Sequence, residues 1–420
     1  MRPWIIFLLF FCAPSCLFSQ SQGPSSVPAE PKGAASLTAL AQEAMDRNPE
    51  IQAAKRARVP QAGAWPDPKL SVSYGGNVLP PFTVMAGDPS SARQIMAEQE
   101  IPYPGKTRLR TGIASRDADA ETLAYEAVWR RIGAEVKQAY FDLWFTDQSL
   151  ATLRKDRELL EKFEKIAEIR YSVGKAVQQD VLKAQVELTR LIERQTVLEQ
   201  ARQTFQAQLN SLRNLPVETP IDTRGEVSPS NLSSPLDELQ AAAQANYPVL
   251  KQQRTMVEEN RLLVDLAKRE VRPDFSVGYA YMQRDRLPDM YGITLSTSLP
   301  IFRHRKQAMA IAEAAANLES SRQMEANALT MLRYRVKQEF LDVQASEQLL
   351  KLYSQGIVPQ SSLALESSIS GYETGAVDFL NVLSNFTTVL DYELSYKQQI
   401  ANHEKALARL EELTALNLVQ

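Results

Sequence analysis

Thiols are almost absent from this 420-residue chain, whose two cysteines, Cys12 and Cys16, both lie near its start. If cleavage removes that segment, no disulfide can form. Histidine is equally scarce: His304 and His403 stand alone, in no Cys, His or acidic arrangement resembling a zinc site. No Gly-rich phosphate loop and no nucleophile motif is present, so the chain does not read as an enzyme and calls for no cofactor. The ten methionines are scattered and form no copper-binding ladder. A net charge of -3 and a pI near 5.8 give nucleic acid nothing to bind.

Long apolar runs are missing as well. The one continuous stretch, Pro3 to Ala13 behind Arg2, is too short to span a bilayer and fits a signal-peptide core. Residues 1–20 are therefore expected to direct export. Acylation at Cys16 is the alternative; the preceding Ala13-Pro14-Ser15 keeps a small residue at −1 but lacks the usual leucine at −3. Residues 21–36, rich in Ser, Pro, Gly and Gln, read as a flexible tether.

What the chain does contain is the same layout twice. Pro68-Lys69-Leu70-Ser71-Val72-Ser73-Tyr74 is echoed by Pro273-Asp274-Phe275-Ser276-Val277-Gly278-Tyr279. Ile101-Pro102 returns as Leu299-Pro300, and Tyr171-Ser172-Val173-Gly174 as Tyr372-Glu373-Thr374-Gly375. Such a duplication divides the chain into repeat 1 (37–212), a linker (213–235) and repeat 2 (236–418).

Each repeat carries two alternating strands, 69–75 and 94–101, then 274–282 and 291–299. One face is apolar (Ile293, Leu295, Leu299; Phe275, Val277, Tyr279) and the other small or polar. Either a half-buried sheet on a soluble core or a membrane barrel fits that pattern. No proline occurs between Gly105 and Tyr171, and a helix of about 67 residues would reach roughly 100 Å. Its apolar positions (Ile132, Val136, Ala139, Leu143, Leu150, Leu153, Leu160, Phe163) and those of the return helix (Val181, Ala184, Leu188, Leu191, Leu198, Phe205, Leu209, Leu212) keep coiled-coil spacing. In the second copy Pro359, after Gly356, predicts a kink or a hinge. Four strands cannot close a barrel alone, because transmembrane barrels start at about eight strands. Strand edges left open in lipid are too costly, so several protomers would have to share one barrel.

Gln99-Glu100-Ile101-Pro102-Tyr103-Pro104-Gly105-Lys106, Tyr171-Ser172-Val173-Gly174 with Asp180-Val181-Leu182, and Gly371-Tyr372-Glu373-Thr374-Gly375-Ala376-Val377-Asp378-Phe379-Leu380 resemble the TolC-type outer-membrane efflux proteins. The wording is similar to the heavy-metal branch, of CusC and CzcC type, more than to the enterobacterial multidrug channel. The resemblance implies a mixed α+β membrane protein: a homotrimer with a 12-stranded β-barrel, four strands per chain, continued by a long α-helical coiled-coil periplasmic tunnel. It places the protein in the outer membrane of a Gram-negative bacterium. It also implies docking to a periplasmic adaptor (membrane fusion) protein and an inner-membrane RND-type pump, with passive export of heavy-metal cations or drugs. A type I secretion duct would share the fold. A soluble periplasmic coiled-coil adaptor or scaffold is the alternative of another class, although an adaptor would carry one hairpin in a β-rich domain.

Hairpin tips fall near 172–179 and 373–378. By resemblance, Val173, Gly174, Thr374 and Gly375 would meet the adaptor's hairpins; they are otherwise simple turns, where glycine stops a helix. Family members often carry paired aspartates on the inner face of the second return helix, where this chain has Asn381 and Ser384. Asp180 and Asp378 would then shape a cation-tolerant gate, or merely sit at helix N-termini favoured by the dipole. The basic clusters Lys106, Arg108, Arg110 and Arg303, His304, Arg305, Lys306 oppose the helix dipole and call for a partner. Outer-membrane phospholipid headgroups would serve, as would simple solvation.

Overall fold

The computed structural model describes residues 36–54, 64–76, 83–223, 225 and 227–419. The signal segment 1–20, Cys16 and all of the tether except Ser36 lie outside the described residues. Along the chain come α1 (Leu37–Arg47), α2 (Pro49–Ala54), β1 (Lys69–Gly75), β2 (Ala92–Ile101), α3 (Lys106–Ser172) and α4 (Gln178–Leu212). After these come α5 (Leu236–Asn246), α6 (Pro248–Arg269), β3 (Phe275–Gln283), β4 (Met290–Thr297), α7 (Gln307–Leu352), a π turn (Tyr353–Ile357), α8 (Val358–Thr374) and α9 (Phe379–Thr414). No helix among the described residues is long and apolar enough to cross a membrane.

The four strands form one antiparallel sheet in the order β1-β2-β3-β4, so β2 and β3 join the two repeats. Directly paired residues share a face. Leu70, Ala97, Tyr279 and Ile293 form one row, and Val72, Ile95, Tyr281 and Tyr291 the next. Lys69, Glu98, Gly278 and Thr294, with Ser71, Met96, Ala280 and Gly292, line the reverse face. No helix among the described residues covers the apolar side: Leu70, Val72, Ile293 and Leu295 are each more than 70% exposed. A soluble half-buried sheet would do the opposite and hide these residues. Among the described residues, β1 and β4 each keep one edge without a partner strand.

Immediately after β2 the chain enters α3 with Lys106 buried. Its Nζ donates to both carboxylate oxygens of Asp274 (2.8 and 2.9 Å) and to the Arg272 carbonyl (2.8 Å). The Tyr103 N–H donates to the same carboxylate. The cation expected to disfavour a helix start is thus neutralised from the strand opening of the other repeat, and no headgroup is needed for it.

α3 runs unbroken for 67 residues. Its predicted seam is buried throughout, from Ile132, Val136 and Ala139 to Leu160 and Phe163. Three apolar clusters lie along the rods. One gathers α1, α2 and the middle of α3 (Leu40, Ile51, Leu143, Trp144, Leu209). A second fills the tip half (Leu153, Leu160, Leu191, Phe379, Phe386). The third joins α5, α7 and the end of α9 (Leu239, Leu250, Val336, Leu407, Leu410). In the second repeat the long helix passes Pro359 through the π turn, where the Val358 N–H reaches back five residues to the Tyr353 carbonyl. Proline lacks an N–H and clashes with the carbonyl four residues earlier; one extra residue in the turn relieves both problems. Where the sequence predicts a kink or a hinge at Pro359, the helix continues through this π turn.

One buried carboxyl in the tip half has no hydrogen bond to one of its oxygens, Asp156 Oδ2 on α3. Burial, reinforced by Glu393, pushes its pKa up to about 6, against the opposing pull of Lys155 and Lys397. Lys397, on α9, spends its hydrogen bonds on the Gln148 carbonyl (3.1 Å) and the Thr152 hydroxyl.

Two measurements test these contacts. Leu143 is fully buried, so Leu143→Ala is expected to cost about 2–5 kcal/mol, read as earlier unfolding of the helical portion by circular dichroism. Asp156 retains a proton in the folded state that the unfolded chain releases, between its ordinary range and about 6. Its contribution to stability is therefore complete at low pH and is lost as pH rises through that window. Asp156→Asn should flatten the stability–pH curve there and raise stability at pH 7.5.

Candidate functional site

The ends of the two helical hairpins are built from the same backbone device. At the first, the N–H of Lys175 donates to the Arg170 carbonyl (2.8 Å) and Gly174 takes φ 72°. At the second, the Ala376 N–H donates to the Gly371 carbonyl (2.8 Å) and Gly375 takes φ 79°. Both are Schellman-type stops, in which a left-handed residue lets late N–H groups satisfy the last carbonyls. Val173, Gly174, Thr374 and Gly375 are all exposed. A Cβ on Gly174 would meet nothing within 4 Å, whereas one on Gly371 would lie 2.5 Å from Val377 Cγ2. Gly371 is therefore the glycine that close packing requires, a need its sequence neighbours did not announce.

The two aspartates differ in role. Asp378 is the N-cap of α9, its Oδ1 accepting from the Asn381 N–H at 3.0 Å. Asp180 lies in the first turn of α4, its backbone N–H going to the Val177 carbonyl at 3.1 Å. Partial burial holds the Asp180 carboxyl above the usual range, and the charge of Asp378 adds to the effect. The two carboxylates, 198 positions apart in sequence, thus sense one another within a single chain. Asn381 and Ser384 are exposed on α9, while Phe379, Val382 and Phe386 turn into the core.

Arg170 joins the tips and escaped the sequence reading. From the end of α3 its guanidinium sits 4.3 Å from the centroid of the Tyr372 ring and donates to the Tyr372 carbonyl on α8. Tyr372 is buried against Phe379, with ring centroids 5.6 Å apart, and its hydroxyl has no hydrogen-bond partner. Burial and nearby Asp180 raise its pKa, against the influence of Arg170. One cation, two carboxylates and a buried phenol therefore meet where the two hairpins lie side by side. The only sequence hint was the repeated Tyr-x-x-Gly at each tip.

His403 has a structural position. Its Nε2 donates to the Ser230 carbonyl at 2.7 Å and its Nδ1 lies 2.9 Å from Ser346 Oγ, pinning the inter-repeat linker to α7 and α9. Glu404 adds a bond from the Ser230 N–H at 2.6 Å. Among the described residues no group of three or more His, Cys, Asp or Glu is placed to hold a metal ion. Cys16 lies outside the described residues.

Residues 40–215 match the family model for outer membrane efflux proteins. Over 92% of its length the chain is 24% identical to the cobalt-zinc-cadmium resistance protein CzcC of Cupriavidus metallidurans, of which it covers 92%. Its fold is that of VceC from Vibrio cholerae (TM-score 0.76, 16% identity, 90% of this chain and 95% of that one). CusC gives a TM-score of 0.77 at 14% identity, over 90% of this chain and 91% of the other. A family match spanning repeat 1, a relative aligned along both repeats and a shared fold of sheet plus paired rods agree: the chain is similar in sequence and in fold to the outer membrane efflux proteins.

Proposed function

We propose that three copies of this chain assemble into a passive exit duct through the outer membrane, the last stage of a tripartite efflux system. The observation that carries this reading is the sheet: an apolar face left bare by every helix, a small polar reverse face, and two open edges. In lipid those edges must be paired, and three sheets of four strands give a closed wall of twelve. The polar reverse faces would then surround water, and the rods would extend the conduit into the periplasm.

The partners in this reading are a periplasmic adaptor protein, meeting the exposed tips at Val173, Gly174, Thr374 and Gly375, and an inner-membrane RND-type pump. Small residues at a helix stop admit close approach by another backbone. Asp180 and Asp378, with Asn381 and Ser384 on the exposed side of α9, form the gate. In a trimer each aspartate would repeat as a ring of three, favouring cations over anions. Metal cations are the cargo suggested by the relative named for cobalt, zinc and cadmium resistance.

Charge removal tests the gate without disturbing the fold. Asparagine caps a helix as well as aspartate does, whereas alanine at Asp378 would cost about 1 kcal/mol of helix stability. Asp180→Asn with Asp378→Asn should therefore leave the trimer intact while weakening divalent-cation block in single-channel recordings; unchanged block rejects the gate. A bulky side chain tests the tips. A Cβ at Gly174 meets nothing within 4 Å, so the intramolecular cost of Gly174→Leu is chiefly the ~1–2 kcal/mol of a left-handed non-glycine residue. The substitution should abolish adaptor cross-linking while the trimer and its conductance persist.

A further inference from the structure

The two repeats place basic residues at the same level, just past the sheet, and treat them in opposite ways. After β2, Lys106 is 3% exposed and locked to Asp274, and Arg110 lies 3.6 Å from Glu270. After β4, Arg303, His304, Arg305 and Lys306 are all exposed, and among the described residues none has an ion-pair partner. The segment is nonetheless wound into a definite turn. The N–H groups of Arg305 and Lys306 both donate to the Phe302 carbonyl at 3.0 Å, and that of Ala308 to the Arg303 carbonyl at 3.0 Å. These side chains stand at the positive end of the α7 dipole, and although Lys306 lines a cavity with Glu270 and Asp274, those carboxylates face Arg110 and Lys106.

The residues leading into the turn are as exposed as they are apolar. Leu299, Ile301 and Phe302 are exposed at 71%, 77% and 68%. They continue the bare face of β4, where Ile293 and Leu295 stand equally open. Along one stretch of chain the surface passes from an apolar sheet face, through an aliphatic–aromatic step, to three cations and an imidazole. That gradient is the profile of a bilayer at its headgroup boundary, with acyl chains on one side and phosphates on the other.

We propose that the turn from Leu299 to Lys306 is a binding site for an anionic diacyl phospholipid of the periplasmic leaflet. Ile301 and Phe302 lodge among the acyl chains, and Arg303, Arg305 and Lys306 hold the phosphate. Arginine suits the task because its planar fork grips phosphate with two hydrogen bonds. This site rests on the outer-membrane duct reading. Closing the barrel through the free edge of β4 would bring the start of an adjacent copy's β1 to this turn, with Asp67 and Lys69. That single carboxylate comes with a cation of its own, so the seam remains net positive and still calls for an anion. The β2–β3 seam inside each chain, already neutralised by Asp274, would bind no such lipid.

The full mature trimer is purified and its lipid retention compared by native mass spectrometry after exchange into phosphatidylethanolamine alone or with phosphatidylglycerol. Each cation near an anionic bilayer surface contributes about a fivefold preference. The triple variant Arg303→Gln, Arg305→Gln, Lys306→Gln should therefore lose roughly 10- to 100-fold of its selectivity for phosphatidylglycerol. Arg157→Gln, a periplasmic-helix control, should keep it. Phosphatidylglycerol retention equal to wild type in the triple variant overturns the site. So does displacement of wild-type lipid by millimolar inorganic phosphate, which would make the turn a free-anion site. Equal loss of trimer heat resistance in Asp67→Asn and the triple variant, in lipid-free detergent, also overturns it, by showing that the adjacent copy satisfies the cations. A conducting trimer without lipid selectivity refutes only this site, whereas a monomer silent in planar bilayers refutes the duct itself.

Discussion

Two open edges on a four-stranded sheet are the constraint from which the rest of the molecule follows. Among the described residues the outer edges of β1 and β4 have no partner strand, and the face between them is apolar and bare. In water such a sheet would aggregate; in hydrocarbon its edges would be too costly to leave open. Duplication makes a shared solution possible, because each repeat supplies one hairpin and the β2–β3 seam already shows how two hairpins join. Inside the chain that joint is an antiparallel ladder clamped below by Lys106 and Asp274; a joint between chains could repeat the ladder, but the repeat puts Lys69 where Asp274 stands and so lacks the clamp.

The rods carry that wall downward, and α9 is the element that binds them together. Along its 36 residues it contributes to all three apolar clusters: Phe379 to Leu390 in the tip half, Ile400 and Ala401 in the middle, and Ala406 to Leu413 beyond. Continuous cores of this kind resist shear because side chains interdigitate at crystal-like density. The two repeats still differ where they might have matched, since α3 is unbroken while its counterpart passes through a π turn at Tyr353–Ile357. The second hairpin therefore contains a local defect in its ladder that the first lacks.

Much of this was legible in the sequence because it rests on periodicity. Ile132, Val136, Ala139 and Leu143 recur at coiled-coil spacing, and all four are buried. The alternation of Phe275, Val277 and Tyr279 with Ser276, Gly278 and Ala280 marks two faces. It could not say which medium each face meets, because a soluble sheet and a barrel share the pattern; only the absence of a covering helix decides. Gly174 and Gly375 were legible as helix stops because a left-handed residue has few alternatives to glycine. The pairing of Lys106 with Asp274, of Arg170 with Tyr372, and the isolation of Asp156 were not. Each joins residues far apart in the chain, through a register no local pattern encodes. The same reason hid the asymmetry between the two basic clusters, which look alike in sequence and differ only in what stands opposite them.

Polar contacts between the hairpins are graded along the rods. Near the middle they are well shielded: Lys405 with Asp142 at 2.6 Å and Lys137 with Glu411, beside the pair Arg409–Glu339 within the second hairpin at 2.6 Å. Toward the tips the comparable contact, Arg194 with Asp391 at 2.7 Å, is open to solvent on both sides. Exposed pairs of this kind contribute about 0–1 kcal/mol, whereas removing one partner of a shielded pair costs several times more. Below Lys397 the α3–α9 seam also contains Asp156, a carboxyl without a full set of hydrogen bonds. Polar resistance to relative movement is thus strongest at the middle and weakest at the tips, where Arg170 bridges the chain's two hairpin ends through Tyr372 beside the apolar packing of Ala167, Ala184 and Phe379. In the proposed duct, which would have to stay sealed against lipid and open at its far end, that grading would serve as a fixed collar with compliance at the end where the hairpins terminate.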